Sequence, residues 1–163
     1  MQVEGSGQSI DAAHLSKAMH QSVTMARCFQ RFAHVFAMQA SYTALANAQG
    51  TIEERLARWL LMAHDRLGSD VLKLTHEFLA LMLGVRRAGV TTALGHLETK
   101  GVLLTARGAV TIVDRGGLED CADGLYGQPE AELERLFPAS QFSSAAAPQR
   151  TWRSSAGGGD IQK

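Results

Sequence analysis

Two short helical runs hinged on a single glycine constrain this chain more than any other feature. From Thr75, a natural N-cap, Phe78, Leu79, Met82 and Leu83 fall at helical spacing. From Arg86 to Lys100, Val90, Leu94 and Leu97 do the same, and Gly84 stands between the two runs. A glycine there can take positive φ, end the first helix and turn the chain into the second. Ala80 is small enough to let the second helix cross the first closely. Arg86, Arg87, Thr91 and Thr92 are left on the outer side, near the start of the second helix. Gly101 closes that helix. Val102–Thr105 and Ala109–Val113 are β-rich runs joined by Ala106-Arg107-Gly108, a hairpin connection. A helix pair followed directly by a hairpin is the order of a winged helix-turn-helix, and hydrogen-bonding side chains at the head of the second helix are what base-edge readout in a major groove requires.

The upstream half predicts a long helix. From Asp11, a candidate N-cap, to Asn47 there is neither proline nor glycine. Leu15, Met19, Ser22, Ala26, Phe29, Ala33, Phe36, Ala40 and Thr43 step alternately by four and three, the a/d spacing of a coiled-coil seam. Such a seam predicts pairing with a second helix; a core helix of a larger bundle shows the same stripe. Val23, Phe32 and Val35 lie off it, so this helix calls for a second packing partner. Gly50 then breaks the run, and Thr51-Ile-Glu-Glu54 has the form of a capping box opening a helix to about Arg66 that Gly68 ends. Val71–Leu74 reads as an extended link and Leu118–Tyr126 as a last short helix. Beyond Gly127 apolar periodicity fades, and Ser143–Gly159, rich in serine, alanine and glycine, predicts disorder. The fold expected is mainly α: a remnant or flexible N-terminus over 1–10, a long dimerisation helix over 11–49, a winged helix-turn-helix with a small β-hairpin wing over 50–127, and a mostly disordered tail over 128–163.

Composition narrows the function. Sixteen basic residues balance sixteen acidic ones, so any attraction to phosphates must come from a local patch rather than from net charge. Two distant cysteines, Cys28 and Cys121, make neither a disulfide scaffold nor a CxxC site. His76-Glu77 begins like an HExxH zinc motif, but Ala80 stands where the second histidine belongs. The six histidines show no ligand spacing, and no nucleophile has a base at readable spacing. The expectation is a non-enzyme without metal or cofactor. No signal pattern and no apolar run near the ~20 residues of a membrane span are visible, which predicts a cytoplasmic protein.

With those residues in view, the segment from about 10 to 126 resembles the Crp/Fnr family of transcription regulators, most closely from Thr51 to Thr91. The resemblance implies double-stranded DNA as partner, a homodimer through the Leu15–Thr43 seam, and RNA polymerase as a further partner. Arg87 matches a base-reading arginine of the family; Ala88 replaces a frequent glutamate, and Thr92 replaces a frequent arginine. Arg87, Thr91, Thr92 and Ala88 are thus the candidates for base contact, and Thr75, Arg86, Lys100 and Arg107 those for phosphate contact. Gly89 and Gly95 lie within the recognition helix, each costing about 1 kcal/mol relative to alanine, so that helix is expected to be soft when free. Family members carry an N-terminal β-roll sensor, for which the ten residues before the long helix leave no room. The expectation is a regulator without its own effector domain. The alternatives are an interaction module that pairs with a full-length relative, or a gene fragment.

Overall fold

The computed structural model describes residues 9–138. Seven helices and three strands follow in the order α1 (Ala12–Gln21), α2 (Val23–Gln49), α3 (Ile52–Leu67), β1 (Val71–Leu72), α4 (His76–Leu83), α5 (Arg87–Thr99), β2 (Leu103–Ala106), β3 (Ala109–Ile112), α6 (Arg115–Cys121) and α7 (Gln128–Leu136). This is the mainly α winged helix-turn-helix architecture.

The expected long helix is two helices. Ser22 lies between them in extended backbone, φ −131° and ψ 103°, and its side chain accepts from Met25 N at 3.2 Å. Serine offers the backbone a local hydrogen bond that competes with the helical one, so it favours caps over helix interiors. The a/d spacing passes through Ser22 unbroken, whereas the helix does not. Asp11 caps α1 as expected, accepting from Ala13 N and His14 N.

Gly50 ends α2 at ordinary φ; its smallness serves packing instead. A Cβ there would meet Ala46 O and Leu125 Cδ1, both at 2.8 Å. The capping box then forms: Glu54 N donates to Thr51 Oγ1 at 3.3 Å and Thr51 N to Glu54 Oε2 at 2.9 Å. Helix α3 is the spine of the core. Its Leu56, Ala57, Leu60 and Leu61 are fully buried against Leu79, Val90, Leu94 and Leu97 of α4 and α5, and against Leu118 of α6. Gly68 ends α3 in the left-handed region, φ 59°.

The extended link enlarges the wing. β1 pairs antiparallel with β3, giving the sheet order β1-β3-β2, with Leu72 opposite Val110 and Leu103 opposite Ile112. Those four side chains face the helices and are buried. The helix expected at Leu118–Tyr126 begins earlier: Asp114 caps α6 by accepting from Gly117 N at 3.0 Å.

A second correction concerns the region after Gly127. Instead of tail from residue 128 onward, α7 packs on α2 and covers the off-seam side chain Val35. His34 Nε2 sits 3.2 Å from Glu132 Oε1 across the same contact. Residues 139–163, with the expected disorder at Ser143–Gly159, lie outside the described residues, as do residues 1–8. The shoulder where α2, α3 and α7 meet is held by Arg58, 4% exposed, whose Nε donates to Leu125 O at 2.9 Å. Its guanidinium also reaches Gln39 O on α2, at 3.4 Å. Burial lowers the pKa of Arg58, since a desolvated cation is less favoured. Among the described residues, no single helix is long and apolar enough to cross a membrane.

Candidate nucleic-acid interface

Helices α4 and α5 meet across a three-residue turn, Gly84–Arg86, at a bend of 106°. Gly84 takes φ 64°, and the amides of Gly84 and Val85 both return to Ala80 O, which closes α4 abruptly. An Arg55 Nη2–H caps the same end by donating to Leu83 O. Thr75 caps the other end, accepting from Phe78 N at 3.2 Å. Such an angle and turn are those of a helix-turn-helix.

Helix α5 is sharply two-sided. Val90, Ala93, Leu94 and Leu97 are buried, while Arg86, Arg87, Ala88, Thr91, Thr92, Gly95 and Thr99 are exposed. The middle of the open face is the row Ala88, Thr91, Thr92, Gly95 and Thr99, which contains no charged side chain. Two of its hydroxyls turn inward: Thr91 Oγ1 donates to Arg87 O at 3.2 Å, and Thr99 Oγ1 to Gly95 O at 2.8 Å. Gly89 has a packing reason, because a Cβ there would meet Ile52 Cδ1 at 2.9 Å, where α3 approaches closely. Gly95 has none, with nothing within 4 Å of such a Cβ.

The candidate contacts therefore divide. Arg87, Thr91, Thr92 and Ala88 share the head and open face of α5, and Arg86 stands beside them as its N-cap residue. Arg107 occupies the exposed hairpin tip next to Gly108, which takes φ 74°. The wing is tied to α5 through Glu98, which accepts from Thr105 N at 2.8 Å. Lys100 stands apart: at the C-terminal end of α5 its Nζ lies 2.5 Å from Glu53 Oε1 on α3, and His96 joins the same carboxylate at 3.2 Å. The hydrogen bond from Lys100 holds the Glu53 carboxyl below its usual value, and the same bond raises Lys100.

Three residues missed by the sequence reading belong to this surface. Lys73, just before Thr75, is exposed and, like Arg86 and Arg107, makes no ion pair among the described residues. Glu77 Oε1 on α4 lies 2.9 Å from Arg87 Nη1. His76 Nδ1, also on α4, lies 2.9 Å from Thr91 Oγ1. A cation two residues before a capping threonine was a visible signal for Lys73. The other two pairings exist only once the 106° bend brings α4 over α5. Among the described residues no group of three or more His, Cys, Asp or Glu side chains could hold a metal ion.

Comparison with known proteins agrees with this geometry. Residues 54–121 match the family model of the Crp-like helix-turn-helix domain. The transcriptional regulator SdrP of Thermus thermophilus is 33% identical over 78 residues, which cover 44% of this chain and 39% of that protein. A Crp/Fnr-family protein of Eubacterium rectale superposes with a TM-score of 0.54 at 25% identity, over 69% of this chain and 52% of the other. A CRP-family transcriptional regulator of the same Thermus species shares the fold with a TM-score of 0.51 at 21% identity, over 71% of this chain and 57% of its own. The chain thus spans only about two fifths to three fifths of the length of these relatives. Within that span, α3 to α6 correspond to the residues that match the Crp-like helix-turn-helix domain.

Proposed function

We propose that this chain is a transcription regulator that binds double-stranded DNA as a symmetric dimer, with α5 in the major groove of each half-site. One observation carries the reading. The outward face of α5 is narrow, uncharged along its middle and headed by Arg86 and Arg87, so it can enter a groove and set cations at its head. Arg87 is assigned to a guanine edge and Thr91 and Thr92 to thymine methyls, with Ala88 making close, small contact. Thr75, Arg86, Arg107 and Lys73 are assigned to phosphates. Lys100 is a weaker candidate, since Glu53 already engages it. Phe29 and Phe36 of the seam stand 41% and 63% exposed, which favours a second copy of α2 as their partner. Two recognition helices would then lie about 34 Å apart.

Selection from a pool of duplexes with randomised interiors, followed by titration of the enriched duplex at rising salt, tests this. A near-palindromic sequence should emerge, and its affinity should fall linearly in log–log form with salt. Arg87→Ala should relax the enriched sequence, while Arg107→Ala should weaken all duplexes evenly. No enrichment together with a monomer in light scattering would end the proposal.

A second reading draws on the pairing of Arg87 with Glu77 and of Lys100 with Glu53, which engages one base-contact candidate and one phosphate-contact candidate within the protein. In it the seam pairs with a longer Crp/Fnr relative and dampens that protein's DNA binding. Co-expression with such a relative separates the two: a homodimer that ignores the relative excludes the second.

A further inference from the structure

We infer that Glu77 and His76 on α4 are positioning residues that set the sequence choice of α5, an inference that rests on the DNA-binding reading above. The two base-reading candidates Arg87 and Thr91 lie one turn apart on α5. Each is held by one of two adjacent residues on α4, Arg87 by Glu77 at 2.9 Å and Thr91 by His76 at 2.9 Å. The four side chains make a clasp across the helix-turn-helix, at the end of α5 that would enter the groove.

The chemistry of each half is specific. A free arginine carries considerable rotamer entropy, and reading guanine requires its planar fork in one orientation. Glu77 engages Nη1 and leaves the rest of the fork to project from the head of α5. Its carboxylate also brings a negative charge toward the phosphates, which weakens attachment to any duplex. A group that lowers general affinity while fixing a specific reader favours selectivity over strength. In the other half, the Thr91 hydroxyl lies 3.2 Å from Arg87 O and 2.9 Å from His76 Nδ1; when its hydrogen is given to Arg87 O, its oxygen accepts from the Nδ1–H tautomer of His76. Both hydroxyl functions are then used inside the protein, and the methyl group is what Thr91 offers to a base. His76 and Glu77 together give the first turn of α5 a fixed geometry, in a helix that also carries Gly89 and Gly95.

The test compares the full chain with Glu77→Gln, Glu77→Asp and Arg87→Ala on the enriched duplex, on its single-base variants and on an unrelated duplex. Glu77→Gln should lower discrimination at the base pair read by Arg87 by roughly fivefold, the scale of one exposed ion pair. Binding to the unrelated duplex should stay level or rise, and Glu77→Asp should restore most of the discrimination. Glu77 is 63% exposed, so folding should be unaffected, and equal melting temperatures check that. Discrimination that rises with general affinity makes Glu77 a competitor for Arg87 and overturns the inference. Unchanged discrimination in Glu77→Gln, with relaxed choice in Arg87→Ala, overturns the clasp alone. Unchanged choice in Arg87→Ala overturns the assignment of Arg87 itself, and the clasp with it. His76→Ala should loosen only the neighbouring base pair faced by Thr91; the same choice there as wild type removes the His76 half.

Discussion

The winged domain closes its own core, whereas the two helices before it do not. From α3 to α6, eleven leucine and valine side chains of four helices and a sheet are fully buried, and both polar termini of α4 are capped from within. In α1 no residue is buried, and in α2 only Val35 and Ala46 are. Val35 owes that to α7, which stands where the sequence left an apolar face uncovered. The seam side chains Phe29 and Phe36 remain open to solvent. A helix with that much apolar surface gains by covering it, so the two regions should answer differently to the same kind of substitution.

The largest effect is expected at the seam. Phe36→Glu should raise the dimer dissociation constant by about a thousandfold, because each symmetric pair loses two buried rings worth about 2–3 kcal/mol each. Analytical ultracentrifugation reads that change, and the thermal unfolding of the monomer should hardly move. A variant that stays dimeric places the contact on another face and breaks the contrast. Within the winged domain, Leu60→Ala should destabilise by about 2–5 kcal/mol through the cavity left beside fully buried neighbours, measured by urea unfolding. A loss well under 1 kcal/mol would mean that the α3 core is as loosely packed as the seam.

How much was legible follows the same division. The capping box at Thr51–Glu54, the left-handed Gly68 and Gly84, and the buried stripe Val90, Leu94, Leu97 were all readable, because each depends on chemistry within four residues. The break at Ser22 was hidden because the a/d spacing runs straight through it, and spacing does not register a serine that prefers to cap. Helix α7 left a fainter trace. Pro129, Leu133 and Leu136 share one helical stripe, and Gly127 N donates to Glu130 Oε2, but every remaining position except Ala131 is polar and the face is completed only by α2. The candidate contacts at the head of α5 were legible as exposed residues. The partners that constrain them were not, since Glu77 lies ten residues from Arg87, and Glu53 lies 47 residues from Lys100 in the chain.

The open face of α5 offers a gentler probe. Gly95 is exposed with nothing near its Cβ position, so Gly95→Ala should stabilise the domain by about 1 kcal/mol, the helix-propensity difference, seen as a higher urea midpoint. The added methyl stands in the middle of the groove-facing row. If the variant gains stability and loses affinity for the enriched duplex, that row meets DNA; a gain in both places the contact elsewhere on the helix.

The smallest expected effect concerns the far end of α5, where Lys100 and His96 converge on Glu53. The hydrogen bond from Lys100, aided by His96, keeps the Glu53 carboxyl below its ordinary value of 4.5. The folded chain then binds that proton less readily than the unfolded chain. The contribution is complete above 4.5 and is lost as pH falls through the lowered value. Lys100 is raised above its ordinary 10.5 by the same bond, so its contribution is complete below 10.5 and is lost as pH rises through the raised value. Lys100→Met removes the lysine's contribution and the larger part of that of Glu53, leaving only His96 on the carboxylate. The variant should be less stable by about 0.5 kcal/mol between those limits, the scale of a partly exposed pair screened by solvent, and the gap should close toward acid and toward alkali. Melting temperatures across pH read this directly. A gap that persists well below 4.5 would assign the effect to packing of the lysine stem, and would return the Lys100 ammonium to the set of cations free to meet a phosphate.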